Sequence, residues 1–279
     1  MVHMGVRFDE IGYWSEVKLA IVSKYAQAYS NIMAKTELSH VYIDGFAGSG
    51  VHIARNSGKF VPGSPLNALG ITPEFDDYFL VDLNGDKTEH LRRLVGEHSN
   101  VHIFQGDCNE ILLNEIFPCV RYKDFRRGLC MLDPYGLHLN WEVMETAGKL
   151  ATIDLFLNFP IMDMNRNALW TNPDKVPASG IARMTAFWGD ESWREVAYGK
   201  EMTLFGDQDV KLSNEVVTEA FRTRLREEAG FEHVPSPMPM RNSVGAVVYY
   251  LYFASHKPVA EKIIKDIFSK YGNRGEHSG

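Results

Sequence analysis

Apolar residues recur at steps of three and four along the first long element: Trp14, Val17, Ile21, Tyr25, Ala28 and Ile32. That period predicts an amphipathic helix with one face on the core. From residue 41 the pattern changes. Short β-rich runs at 41–44, 78–82 (YFLVD), 101–107 (VHIFQGD), 129–133 (LCMLD) and 153–159 (IDLFLNF) alternate with helical segments at 86–97, 110–117 and 140–150. In the 86–97 segment Leu91, Leu94 and Val95 are expected to face inward. Strands alternating with helices at this spacing predict a mostly parallel sheet with helices on both faces. Residues 51–76 carry three glycines and three prolines and read as an inserted loop. Residues 161–212 break the rhythm and hold Trp170, Trp188 and Trp193, so they read as a helical or irregular insertion. A helix at 213–229 follows, with Val216, Val217, Ala220, Phe221 and Leu225 on one face and Gly230 as its C-cap. The strongest strand signal is AVVYYLYFA at 246–254, expected to insert antiparallel beside residues around 231–241. Pro258 opens a last helix, where a first-turn proline is tolerated, and the tail 272–279 is expected to fray.

This organisation divides into an N-terminal helical segment (1–40), a Rossmann-like domain made of 41–160 and 213–271, and the insertion 161–212 as a substrate or partner lid. The length of 279 residues fits two domains or one large α/β domain, and 45% hydrophobic with 23% charged residues is ordinary globular usage. The formal charge of −7 and pI near 5.8 exclude nucleic-acid binding by bulk charge and require a local basic patch for it. Three scattered cysteines exclude a disulfide framework or a cysteine zinc site, and no histidine pair suggests a metal. Asp9 and Glu10 stand where a signal peptide would be basic and then apolar, and no run of about 18 apolar residues exists. A cytoplasmic protein outside the membrane is the expectation.

The chemistry concentrates at the strand ends. VYIDGFAGSG (41–50) runs a strand into Asp44 and then Gly45, Phe46, Gly48 and Gly50. Glycines there let the backbone approach a ligand closely. A phosphate P-loop would need Lys-Ser/Thr next, where this chain has Val51-His52, and the glycine spacing fits a dinucleotide fingerprint poorly. The third competing reading is S-adenosylmethionine, whose sulfonium carries no phosphate. Asp82 ends the second strand, where an acidic residue accepts ribose hydroxyls. The third strand ends in Asp107-Cys108. Each aspartate alone reads more readily as a helix cap or turn residue; their order along three strands favours the ligand.

The turn resembles the first motif of class I methyltransferases, in which Asp44 anchors the methionine end, the backbone of Gly45–Gly50 passes under the ligand, and Asp107 contacts the adenine amino group. The fourth strand ends in Asp133-Pro134-Tyr135-Gly136. This resembles the Asp/Asn-Pro-Pro-aromatic motif of amino methyltransferases, with one proline fewer and the aromatic one place early. By that resemblance Asp133 and the Pro134 carbonyl hold a target NH2, and Tyr135 stacks the flipped base. A tight turn with proline at its second position is the other reading. Pro118-Cys119 is similar to the nucleophile pair of cytosine-C5 methyltransferases but precedes the fourth strand instead of following it. Asn158-Phe159-Pro160 falls on the rim and either shapes the pocket or merely ends a strand. Arg121, Lys123, Arg126 and Arg127, interleaved with Tyr122 and Phe125, form either a phosphate-contacting patch or a solvated loop.

Taken together, YIDGFAGSG, Gly63-Ser64-Pro65-Leu66, LDPYG, LFLNFP and FWGD (187–190) with Trp193 resemble the three-Cys-motif partner (TcmP) family over most of the chain. The resemblance implies a Rossmann-like methyltransferase fold, S-adenosylmethionine, and a partner carrying the three-Cys motif, similar to radical S-adenosylmethionine enzymes. Methyl transfer to a nucleic-acid base amino group, with no metal, is the favoured expectation. A non-catalytic partner subunit, or a methyltransferase of a protein or small molecule, are the alternatives.

Overall fold

The structure, a computed structural model, describes residues 8–203 and 206–272. The expected fraying of the tail lies outside these residues, apart from Gly272, which ends the last helix. In chain order the elements are β1 (Glu10–Ile11), α1 (Tyr13–Met33), β2 (Ser39–Asp44), β3 (Val51–Ala54), β4 (Phe60–Pro62), α2 (Ser64–Leu69), β5 (Asp77–Asp82), α3 (Gly85–Val95), β6 (Val101–Gln105), α4 (Cys108–Ile111), β7 (Arg126–Leu132), α5 (Trp141–Leu150), β8 (Ile153–Phe159), α6 (Ile161–Asn167), α7 (Ala178–Trp188), α8 (Trp193–Ala197), β9 (Tyr198–Thr203), β10 (Gly206–Lys211), α9 (Asn214–Glu227), β11 (Met238–Arg241), β12 (Val247–Ala254) and α10 (Pro258–Gly272).

Seven strands form the central sheet in the order β11-β12-β8-β7-β2-β5-β6. All ladders from β8 to β6 are parallel, and β12 runs antiparallel between β8 and β11, as the sequence predicts. Successive residues of a strand point to opposite faces, so an all-buried strand feeds two cores. Tyr42, Leu80, Leu129, Phe156 and Phe253 meet α1, α2 and α10 on one side. Ile43, Val81, Leu132, Leu157 and Phe159 meet α5, α7 and α9 on the other.

Several expectations need correction. The buried face of α1 continues through Ala26, Tyr29 and Met33, while Ile32 is exposed, because α2 and α10 both cover the helix. Leu94 and Val216 also point outward. The 51–76 loop holds structure: β3 pairs with β4 and, in parallel, with β1, and α2 follows. The 161–212 segment ends in the hairpin β9–β10. Its helix α7 packs into the main core, where Phe187 lies 5.8 Å from the Phe159 ring and 5.7 Å from Phe221.

The FWGD run has a structural explanation. Gly189 ends α7 at φ +108°, and a side chain there would strike the Trp141 ring. Asp190 pairs at 2.7 Å with the buried Arg224, which lies 4.7 Å from the Trp141 ring centre and donates to the Trp188 carbonyl. Phe221 sits at the centre of this cluster, touching the rings of Phe159, Phe187, Trp188, Trp141 and Tyr252. Phe221→Ala is expected to cost about 3–5 kcal/mol, read as a lower urea midpoint at unchanged slope.

Candidate active site

The strand order reverses beside β2: the chain first adds β5 and β6 on one side, then β7 and β8 on the other. Open α/β sheets bind ligands at the carboxyl ends beside such a point. A cleft of about 820 Å³ opens there. It is lined by Phe46 and Gly48 from the glycine turn, by Asp133, Pro134, Tyr135 and Gly136 from the turn after β7, and by Lys18 of α1.

Asp44 lies fully buried beneath this cleft. Its carboxylate accepts the Phe46 N–H at 3.1 Å. Burial pushes its pKa up to about 6; bonds from Ser64 and the Phe46 amide oppose this, and the charges of Asp133 and Asp82 add to it. Asp82 accepts the Gly48 N–H at 2.9 Å and the Asn84 N–H at 2.8 Å, so it pins the glycine turn. Gly48 sits at φ +64°, and a Cβ placed on it would meet nothing within 4 Å. Gly45 is instead crowded by Leu132, and Gly50 by Leu91. The turn is therefore packed from below and open above Gly48, a cradle that fits a ligand laid across the backbone. The Gly63-Ser64-Pro65-Leu66 segment closes its side: the Gly63 N–H donates to the Gly50 carbonyl at 2.7 Å, and Pro65 stands in the first turn of α2.

Asp107 and Cys108 do not line the cleft. Asp107 is exposed and caps α4 through the Asn109 N–H at 2.7 Å. Cys108 is buried, and burial with the Asp107 charge pushes its thiol up to about 12. Asn109, unflagged by the sequence, accepts the Asn140 N–H at 2.7 Å and donates to the His138 carbonyl, fixing the loop beyond Gly136.

At the other half of the cleft, Lys18 pairs with Asp133 Oδ2. Burial is the largest single influence and lowers the Lys18 pKa, but the Asp133 charge and hydrogen bond together with Tyr249 and Asp44 outweigh it and hold the ammonium above its ordinary value. Tyr249 lies beside it, with Lys18 Nζ 5.2 Å from the ring centre. A lysine in the apolar stripe of a helix reads as a misfit, and that misfit was the available signal. Tyr135 is exposed, and its hydroxyl accepts from Lys87 and donates to Asp9, each at 3.1 Å. Lys87 also pairs with Asp9 at 2.6 Å. Burial raises the Asp9 carboxyl, but the Lys87 bond and charge hold it below the usual range. The segment before α1 thus forms one wall of the cleft.

The basic cluster before β7 lies at the opposite end of the sheet. Arg126 pairs with Asp77, Arg121 with Asp124 at 2.7 Å, and Arg127 lies 4.4 Å from the Tyr122 ring centre. Among the described residues no helix is long and apolar enough to cross a membrane.

The sheet order and the antiparallel β12 define the class I methyltransferase fold. No protein-family model and no curated protein matches the chain. Among solved structures, protein LPL1258 of Legionella pneumophila, assigned to DUF519, is similar with a TM-score of 0.54 at 14% identity, covering 95% of this chain and 94% of that one. Weaker likenesses, each with a TM-score of 0.37, are a Haloferax volcanii methyltransferase complexed with the Trm112 activator and the plantazolicin methyltransferase BpumL with SAH. The first has 11% identity and covers 88% of this chain and 94% of that one; the second has 9% identity and covers 87% and 86%.

Proposed function

We propose that the protein is an S-adenosylmethionine-dependent methyltransferase acting on a nucleic-acid base amino group. One observation carries the reading: the glycine turn held by Asp82 and the Asp133–Gly136 turn line the same cleft at the switch point of the sheet. S-adenosylmethionine, when bound, supplies an electrophilic methyl group on a sulfonium. Asp44 gives its cationic end a buried carboxylate, and Gly48 gives it open backbone. Asp82 stands at the neighbouring strand end for the ribose, while Asp107, which caps α4 outside the cleft, takes no part. Asp133 and the Pro134 carbonyl take the two N–H donors of the target, and Tyr135 offers an exposed ring face. Lys18 holds one oxygen of Asp133 and so fixes the carboxylate's orientation. The rate gain asked of these groups is alignment of nucleophile and methyl.

The motif resemblance supports a place in the TcmP family and an assembly with a three-Cys-motif partner. In that reading residues 161–212 present the partner or substrate surface, with Arg166 exposed at the cleft and the hairpin β9–β10 beyond it. Calorimetric titration with S-adenosylmethionine tests the core of the proposal. One-to-one binding in the micromolar range is expected; no heat from folded protein, judged by circular dichroism, would overturn it.

A further inference from the structure

Among the described residues three that line the cleft carry a buried polar atom without a partner: His52 Nδ1 beside the glycine turn, and two oxygens near the Asp133–Gly136 turn. Asn158 is 8% exposed, lines the cleft, and its Oδ1 is buried without a hydrogen bond. Asp163, on α6, also lines the cleft. Its Oδ1 accepts from Asn167 Nδ2 at 2.9 Å, and its Oδ2 is buried and unpaired.

Asn158 stands beside Asp133, and Asp163 beside the turn that follows it. Leu132 of β7 pairs with Leu157 of β8, so Asp133 and Asn158 are the next neighbours along that ladder. A Cβ on Gly136 would come within 2.6 Å of Asp163 Oδ2, which places this carboxylate against the Asp133–Gly136 turn. Leaving a buried acceptor empty costs free energy that a ligand donor removes. Lys18 already occupies Asp133 Oδ2. The floor of the cleft is therefore richer in acceptors than one amino group can satisfy.

We infer that Asn158 and Asp163 read a further N–H donor next to the target amino group, which makes guanine the target base and its 2-amino group the acceptor of the methyl. The inference rests on the amino-methyltransferase reading above. An exocyclic amino group offers two N–H donors, and Asp133 and the Pro134 carbonyl take these. In adenine and cytosine the Watson–Crick ring nitrogen beside the amino group is an acceptor, which would face the two oxygens unfavourably. In guanine that neighbour is the N1–H donor. A site built around acceptors discriminates strongly against a partner lacking the donor, because the buried oxygens stay unpaired. Both residues are specificity and positioning residues in this scheme; neither takes part in the methyl transfer.

The test uses the full chain, labelled S-adenosylmethionine, and oligonucleotides with one guanine, adenine, cytosine or 2-aminopurine in a uridine or thymidine background. 2-Aminopurine keeps the amino group and lacks N1–H. Methylation of guanine is expected, with at least a tenfold higher KM for 2-aminopurine. Asn158→Leu should raise KM for the guanine oligonucleotide at least tenfold, leave S-adenosylmethionine affinity unchanged, and erase the preference over 2-aminopurine. Asn158→Asp, which offers only acceptors, should keep that preference. Label on adenine or cytosine instead of guanine would overturn the inference and leave the methyltransferase reading standing. Equal use of guanine and 2-aminopurine would overturn it in the same way. Cofactor binding without transfer to any oligonucleotide would overturn the target reading and this inference together.

Discussion

Asn in place of Asp133 is expected to lower methyl transfer about a hundredfold or more while leaving S-adenosylmethionine affinity within a factor of about three. Loss of alignment of that size follows from a displacement of the reacting atom by about an ångström. The substitution keeps the side chain's shape but puts an NH2 where either Lys18 or the target needs an acceptor. Lys18→Met should act in the same direction by a different route. It frees the second oxygen of Asp133, so the carboxylate rotates and the target loses its fixed partner. Single-turnover assays with saturating cofactor separate the chemical step from binding. An Asp133→Asn variant with wild-type turnover would remove Asp133 from the mechanism.

The second large effect concerns Asp44 and has opposite signs for binding and stability. Its pKa of about 6 lies above the unfolded carboxylate value of 3.8 because the group is buried. The folded protein therefore holds this proton more tightly. The contribution is fully present below pH 3.8 and is lost as pH rises through 6, so the ionised carboxylate costs about 3 kcal/mol at neutral pH. Asp44→Asn is expected to melt at or above the wild type at pH 8, with the gap closing at pH 5. A cationic ligand favours the charged form. S-adenosylmethionine affinity should rise up to about tenfold per pH unit below 6 and level off above it. In Asp44→Asn the pH dependence should vanish and affinity should fall at least tenfold at pH 8. Calorimetry and thermal melts across pH 5–8 check both signs. A variant that binds as tightly as the wild type at pH 8 would take Asp44 out of the cofactor site.

The parallel sheet was legible because five short β-rich runs alternate with helical segments. The glycine turn and Asp82 could be related in advance, since both fall at strand ends; their direct bond could not. The small sheet of β1, β3 and β4 was hidden because its strands are two to four residues long and carry Gly and Pro at their borders. Lys18 and Asp163 were missed, and Asn158 was read only as a rim residue, for a physical reason. Their roles come from contacts with Asp133 or the turn after it, each separated widely in sequence, and no local pattern reports such proximity. Conversely, FWGD entered only as part of the family resemblance, and its glycine and aspartate serve packing and the Arg224 ion pair.

The position of β12 has a consequence for how the molecule comes into being. Among the described strands it comes last in chain order, yet it lies between β8 and β11 rather than at the rim. While the chain is still emerging from the ribosome, Ile153–Phe159 has one row of backbone amides and carbonyls open, flanked by apolar side chains. That row stays adhesive until Val247–Ala254 arrives to close it. Nascent chains stopped before residue 247 should therefore engage chaperones or aggregate, and release should follow the emergence of β12 and α10.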